Sequence, residues 1–165
     1  MRCLTVLCGV LMLTATGGNA AAQSKGDVKV AIIYNILRFV TFPNNTATLT
    51  VCARRQDSLV EGLKSLEGRA VSTRKITVAV YDKIDQAANE CDVVYVGYAS
   101  ARTLQKPARG QILIGEDPSF VDQGGTVGLV SFGPQVRFTI NARVAQSSGV
   151  RFSSQLMQLA AKVIS

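Results

Sequence analysis

From Thr48 to Asp122 the chain repeats one alternation four times, a short β-branched run followed by a stretch with helical spacing, and this alternation restricts the fold more than any other feature. The runs are Thr48–Ala53, Ile76–Tyr81, Val93–Gly97 and Gln111–Gly115. The stretches between and after them are Ser58–Leu66, Ile84–Asn89, about Ser100 to Lys106, and a helical turn at Pro118–Asp122. Strands separated by helices pair in parallel, because a parallel partner is reached only by a crossover. The pattern then changes. Val127–Phe132 and Val136–Ile140 flank Gly133-Pro134-Gln135 and read as a hairpin, a helix runs from about Ala142 to Ser147, and a last helix opens at Ser153-Ser154. That last helix carries Leu156, Leu159, Ala160 and Val163 on one stripe. The expectation is an α/β fold: a mostly parallel central sheet flanked by helices, with a C-terminal β-hairpin and a closing helix.

Ahead of the alternation, Asp27 to Phe42 reads as a helix stopped by Pro43. Its apolar residues cover almost the whole circumference, as in a helix buried inside its own domain or against a partner. Earlier still, Met1-Arg2-Cys3, an apolar run from Leu4 to about Leu13 and the end Ala20-Ala21-Ala22 form the three parts of a secretory signal peptide. The run is too short to cross about 30 Å of hydrocarbon. Cleavage is expected after Ala22, so that 1–22 is the signal peptide and 23–165 a single domain with one core. Of four cysteines in 165 residues, Cys52 and Cys91 remain after such processing. In an oxidising compartment two cysteines pair, closing a loop of about 40 residues worth roughly 4 kcal/mol. Two buried free thiols are the alternative.

The chemistry the chain excludes is equally informative. It contains no histidine, which removes the Ser-His-Asp and Cys-His nucleophile pairs and the histidine base. Zinc is disfavoured with two thiols and no imidazole, and no cofactor is implied. Ser72-Thr73-Arg74-Lys75 matches S-x-x-K, but it leads into a strand where that chemistry needs a helix start. Gly124-Gly125-Thr126-Val127-Gly128 precedes a strand, whereas a dinucleotide loop follows one. Asp82 with Asp85, and Glu116-Asp117, read as solvated acids or helix-start charges. The formal charge of +7 is spread along the sequence rather than clustered, which argues against nucleic acid. Arg137 and Arg151 lie inside apolar runs and so read as arginines held by acids or carbonyls, or as anion ligands.

Two stretches resemble a known family. Ala31-Ile32-Ile33-Tyr34-Asn35-Ile36-Leu37-Arg38-Phe39-Val40-Thr41-Phe42-Pro43 resembles the opening helix of YfiR-type proteins. Gly128-Leu129-Val130, Val136-Arg137-Phe138-Thr139-Ile140-Asn141 and Gly149-Val150-Arg151-Phe152-Ser153-Ser154-Gln155-Leu156 resemble their closing pattern. Val51-Cys52 and Cys91-Asp92-Val93-Val94-Tyr95-Val96-Gly97 are similar to two of their strands. Phe42, Thr139 and Asp92 depart from the pattern, standing where tryptophan, glutamate and histidine are usual. The resemblance implies a periplasmic protein, not an enzyme, that represses a membrane-bound diguanylate cyclase by binding its periplasmic sensor domain. It also implies an OmpA-like outer-membrane lipoprotein that sequesters the repressor, and so lower cyclic-di-GMP and less biofilm when the repressor is free. The expected contact surface is Ile33, Leu37, Arg38, Phe39 and Phe42 on the first helix, with a homodimer left open. The competing expectation is a small-molecule sensor or carrier with a pocket at the carboxyl ends of the parallel strands. Arg137, Asn141 and Arg151 would be its polar groups, with Ser153 or Ser154 capping the last helix.

Overall fold

The computed structural model describes residues 24–83 and 90–165. The expected signal peptide and the helix expected over Ile84–Asn89 lie outside the described residues. An eight-stranded sheet organises the rest, in the order β10-β8-β7-β6-β5-β2-β4-β3. Its strands are β2 (Thr48–Arg54), β3 (Ala70–Val71), β4 (Arg74–Tyr81), β5 (Val93–Tyr95), β6 (Ile112–Gly115), β7 (Val127–Phe132), β8 (Gln135–Asn141) and β10 (Lys162–Ile164). β4, β2, β5, β6 and β7 run parallel; β3 is antiparallel to β4 and β8 to β7, while β10 is parallel to β8. The α/β architecture therefore stands as expected: a mostly parallel centre, a C-terminal hairpin and closing elements.

Period-2 alternation decides which side chains face which layer. Val51, Ala53, Val93, Tyr95, Ile112 and Ile114 join one large core with helices α1 (Lys25–Leu37) and α2 (Val60–Lys64). Cys52, Val94, Val96 and Leu113, one residue out of step, face the opposite side and a smaller core with Ala101 and Phe120. The strands β2, β5 and β6 are buried on both faces, so they read as continuous apolar runs. The Cys52–Cys91 disulfide, with Cα atoms 5.9 Å apart, closes the smaller core.

Several local expectations are corrected by tertiary contacts. α1 opens with a capping box between Ser24 and Asp27 but ends at Leu37, five residues before Phe42. Beyond the helix, β1 (Val40–Thr41) pairs antiparallel with β9 (Arg151–Phe152), and this ribbon takes the backbone bonds that a continued helix would have used. The helix expected near Ser100–Lys106 is one 3-10 turn at Ala101–Thr103, and Pro118–Asp122 forms turns without a helix. The hairpin loop is two residues, with Phe132 opposite Gln135 and Gly133 at φ +56°. That is the first central position that a type II′ turn reserves for glycine. The helix α3 (Ala142–Ser147) forms as expected, capped by Asn141. The closing helix α4 (Ser154–Leu159) is shorter than its stripe implied; Val163 lies instead on β10, the edge strand beside β8. Among the described residues no helix is long and apolar enough to cross a membrane.

Candidate functional site

Each end of the parallel sheet carries a buried ion pair. At the carboxyl end, Glu116 follows β6 and is 3% exposed. Lys29 of α1 donates to its Oε2 at 2.6 Å, and the Tyr95 hydroxyl at the end of β5 donates to Oε1. Tyr98 stands above the lysine, Nζ 5.8 Å from the ring centroid. Burial, reinforced by the neighbouring carboxylate, holds the Tyr95 hydroxyl well above its usual pKa, so it stays a proton donor. At the end of β2, Arg54 clamps the buried Asp57 through Nη2 at 2.7 Å, while Nη2 also reaches the Val96 carbonyl. These groups surround the point where strand order reverses, since β4 lies on one side of β2 and β5 on the other. Ligands of open α/β sheets bind at such a switch point. Here a crevice of about 370 Å³ opens between Arg54, Asp57, Ser58 and Gly97-Tyr98-Ala99.

At the amino end, Arg74 begins β4 and Asp92 immediately precedes β5. Arg74 Nη2 donates to Asp92 Oδ2 at 2.8 Å, to Thr46 Oγ1 and to the Thr48 carbonyl, and Nε donates to the same carbonyl. The Asp92 carboxylate also accepts from the Thr50 amide and the Asn44 side chain. The Phe42 ring lies 5.3 Å from the guanidinium carbon. Beside them is a pocket of about 200 Å³, bordered by the connection after β1 and by the β3–β4 turn.

The expected contact residues separate. Ile33 and Leu37 are 1% and 0% exposed, so they belong to the protein's own core and offer no surface to a partner. Phe39 and Phe42 are half-buried and Arg38 is exposed at the helix end. The expected polar set is not brought together. Arg137 is exposed on β8 opposite Val130; Asn141 lies four residues on, about 13 Å along the strand, donating to the Val121 carbonyl and capping α3. Arg151 is exposed in β9, where its backbone pairs with Thr41, so the expected side-chain anchor is absent among the described residues. Ser153 caps α4, accepting from the Leu156 amide, and Ser154 is exposed. Glu116, read as solvated, is instead buried because Lys29 meets it from 87 positions away. The available signal was a lysine between Val28 and Val30 in an apolar helix. Arg74 and Asp92 carried no comparable signal beyond the departure at position 92. Among the described residues no group of three or more His, Cys, Asp or Glu side chains could hold a metal ion.

Residues 26–161 match a protein family described as YfiR/HmsC-like. Solved structures with a similar fold include a conserved domain protein from Vibrio cholerae O1 biovar El Tor str. N16961, at 17% identity and a TM-score of 0.53. That match covers 85% of this chain and 60% of the other. Another is the ABC domain in complex with L-Trp from Streptococcus pneumonia, at 14% identity and a TM-score of 0.51, covering 84% and 60%. This chain thus spans about 60% of the length of each, and at these identities the likeness is one of fold.

Proposed function

The chain belongs to the YfiR/HmsC-like family, and from that premise we propose that it is a periplasmic regulatory protein that represses an inner-membrane diguanylate cyclase. It is exported by residues 1–22 and acts as the single domain 23–165. It binds the cyclase's periplasmic sensor domain and favours the inactive arrangement by a differential affinity of about a few kcal/mol, so cyclic-di-GMP and biofilm formation fall. An OmpA-like lipoprotein of the outer membrane is the partner that would lift repression by sequestering it. No step of this role requires catalysis, and the chain's lack of histidine is consistent with that.

The observation that carries the contact surface is the exit from α1. There the helix stops, and Phe39 and Phe42 emerge half-exposed beside the charged Arg38 on a segment pinned by the β1–β9 ribbon. Half-exposed aromatics next to an arginine have the composition of an interface hot spot. The test deletes the gene, measures cyclic-di-GMP, and complements with the wild type or with Phe42→Glu. Leu37→Glu is the wrong probe, because a carboxylate at a fully buried position would unfold the domain. Deletion should raise cyclic-di-GMP, and a folded Phe42→Glu protein should fail to lower it again. Unchanged cyclic-di-GMP on deletion overturns the regulatory reading.

A second reading, a sensor or carrier of a small molecule, draws on the switch-point crevice rather than on Arg137, Asn141 and Arg151. Arg54, Asp57 and the exposed Tyr98 would face a zwitterionic ligand there. A similarly folded protein was solved with L-Trp, which makes that amino acid the first ligand to titrate. Calorimetric binding abolished by Asp57→Asn would favour this reading.

A further inference from the structure

Positive charge that lies scattered along the sequence is gathered by the fold. From Gln123 to Ser165 there is no Asp or Glu, against three arginines and a lysine. Three connections converge at the amino end of the parallel sheet: the one after β1, the one before β6 and the one between α3 and β9. Gly110 and Gly149 both lie against the Pro43 ring, and the Gly110 amide donates to the Ser148 carbonyl at 2.7 Å. Exposed arginines stand around this junction. Arg109 precedes Gly110, Arg151 pairs its backbone with Thr41, and Arg38 ends α1, just before the Phe39 carbonyl that accepts from the Ser153 amide. Lys75, exposed as the second residue of β4, adds a fourth cation at that end. Among the described residues none of the four is ion-paired, all six salt bridges using other cations. The exposed residues beside them, Thr41, Pro43, Asn44 and Asn45, are uncharged.

Among the described residues no exposed acid answers these cations. Asp92 is buried and taken by Arg74, and Glu90 turns its carboxylate to the Tyr81 hydroxyl at the far end of β4. Asp27 and Glu61 open α1 and α2 at the carboxyl end of the sheet, where Asp82 and Asp117 follow β4 and β6. Glu67 accepts from the Val78 amide farther along β4, and Asp122 is held by Lys162.

We propose that this face binds the surface of an anionic phospholipid bilayer, with Arg38, Lys75, Arg109 and Arg151 meeting the phosphate headgroups. Headgroups are laterally mobile and settle around each cation, so the contact needs like charges on one face and no fixed pairing geometry. Each cation near such a surface contributes about fivefold to binding, and a guanidinium fork suits phosphate oxygens in particular. A protein partner instead needs a packed centre with its charges paired at set positions. These four side chains have no anchoring bond, and none of them borders the pocket at this end. The switch-point crevice, at the opposite end of the strands, then faces away from the bilayer. This inference stands apart from the regulatory reading, since it concerns the chain and lipid alone.

Vesicles of phosphatidylglycerol and phosphatidylcholine in equal parts are the probe, with pure phosphatidylcholine as the neutral control, each cosedimented with the full processed chain. At about 0.1 M salt the anionic vesicles should carry the protein down and the neutral ones should not. At about 1 M salt, where the Debye length falls from about 10 Å to about 3 Å, that binding should be lost. Arg109→Glu with Arg151→Glu, both at exposed positions, should weaken it at least about tenfold. Arg109→Gln with Arg151→Gln serves if the reversal does not fold, and should weaken it in the same direction. Arg55→Glu with Lys83→Glu makes the same change in net charge at exposed positions of the carboxyl end, and should weaken it far less. Equal losses from the two reversed pairs would assign the attraction to net charge and overturn the proposal. So would a wild type that ignores anionic vesicles, or one that binds poly-L-glutamate through the same arginines but no vesicle, which would point to an acidic polypeptide instead.

Discussion

The two ends of the parallel sheet solve the same problem to different degrees. Each buries a cation against a carboxylate. At the carboxyl end Lys29, Glu116 and Tyr95 close into a complete set, and the tyrosine remains protonated because burial and the carboxylate both oppose its ionisation. At the amino end Asp92 is fully used, yet Arg74 keeps one nitrogen unpaired beside a pocket. A satisfied buried network rigidifies a fold, whereas a buried donor without an acceptor is a local cost that the rest of the structure offsets. The comparison teaches that two buried ion pairs alike in burial and charge can differ in how completely their donors are satisfied.

The sharpest way to break the comparison is Glu116→Ala. It strands a buried lysine and a buried hydroxyl, and should cost about 3–5 kcal/mol in urea or thermal unfolding. Replacing the pair together, Lys29→Met with Glu116→Leu, should recover most of that loss, because two apolar groups need no partners. If the single and double variants unfold alike, the carboxyl-end set is not a structural anchor.

Next in size is the disulfide, which ties Cys91, the neighbour of Asp92, to the middle of β2. Cys52→Ser with Cys91→Ser should lower stability by about 2–4 kcal/mol, through the entropy returned to the unfolded chain across 39 positions. The amino end should loosen first, seen as faster amide exchange at Thr50 and Asp92 than at Tyr95. Uniform exchange across both ends would blur the distinction.

Tyr95→Phe is expected to cost about 1.5–3 kcal/mol, the range for a hydrogen bond to a charged group. It also carries a pH signature. The folded tyrosine's pKa is raised above the ordinary 10.0, so its stabilising contribution is complete below that pH and is lost as pH rises beyond it, where the unfolded chain's tyrosine ionises. Stability measured from neutral to alkaline pH should therefore fall less steeply in Tyr95→Phe than in the wild type. The smallest effect belongs to Arg55→Ala. Its pair with Asp82 is exposed on both sides, and removal should change stability by no more than about 0.5 kcal/mol.

The parallel centre was legible in the sequence because β2, β5 and β6 are buried on both faces. Double burial demands uninterrupted apolar runs such as Val93 to Val96, and short runs set between helical stretches leave parallel pairing as the outcome. The cysteine pair was legible for an equally local reason: beyond the expected signal peptide, Cys52 and Cys91 are the two cysteines of the chain. The closing segment was not. Leu159 and Val163 fit a helical stripe, but Leu159 is exposed and Val163 lies on β10, since β8 had an open edge that only the assembled sheet presents.

The candidate sites divide along the same line. Residue type and spacing determined that this chain lacks histidine chemistry, that its first helix is too apolar to face water, and that a serine at 153 or 154 caps the last helix, Ser153 being the one the structure uses. Whether a charge is solvated or buried was decided by partners far away in sequence. Glu116 becomes part of the core because Lys29 arrives 87 positions earlier, and Arg74 becomes a fixed guanidinium because Asp92 enters from the neighbouring strand but one. Burial of a charge depends on what desolvates it and what compensates it, and both are supplied by the fold rather than by the neighbouring residues in the chain.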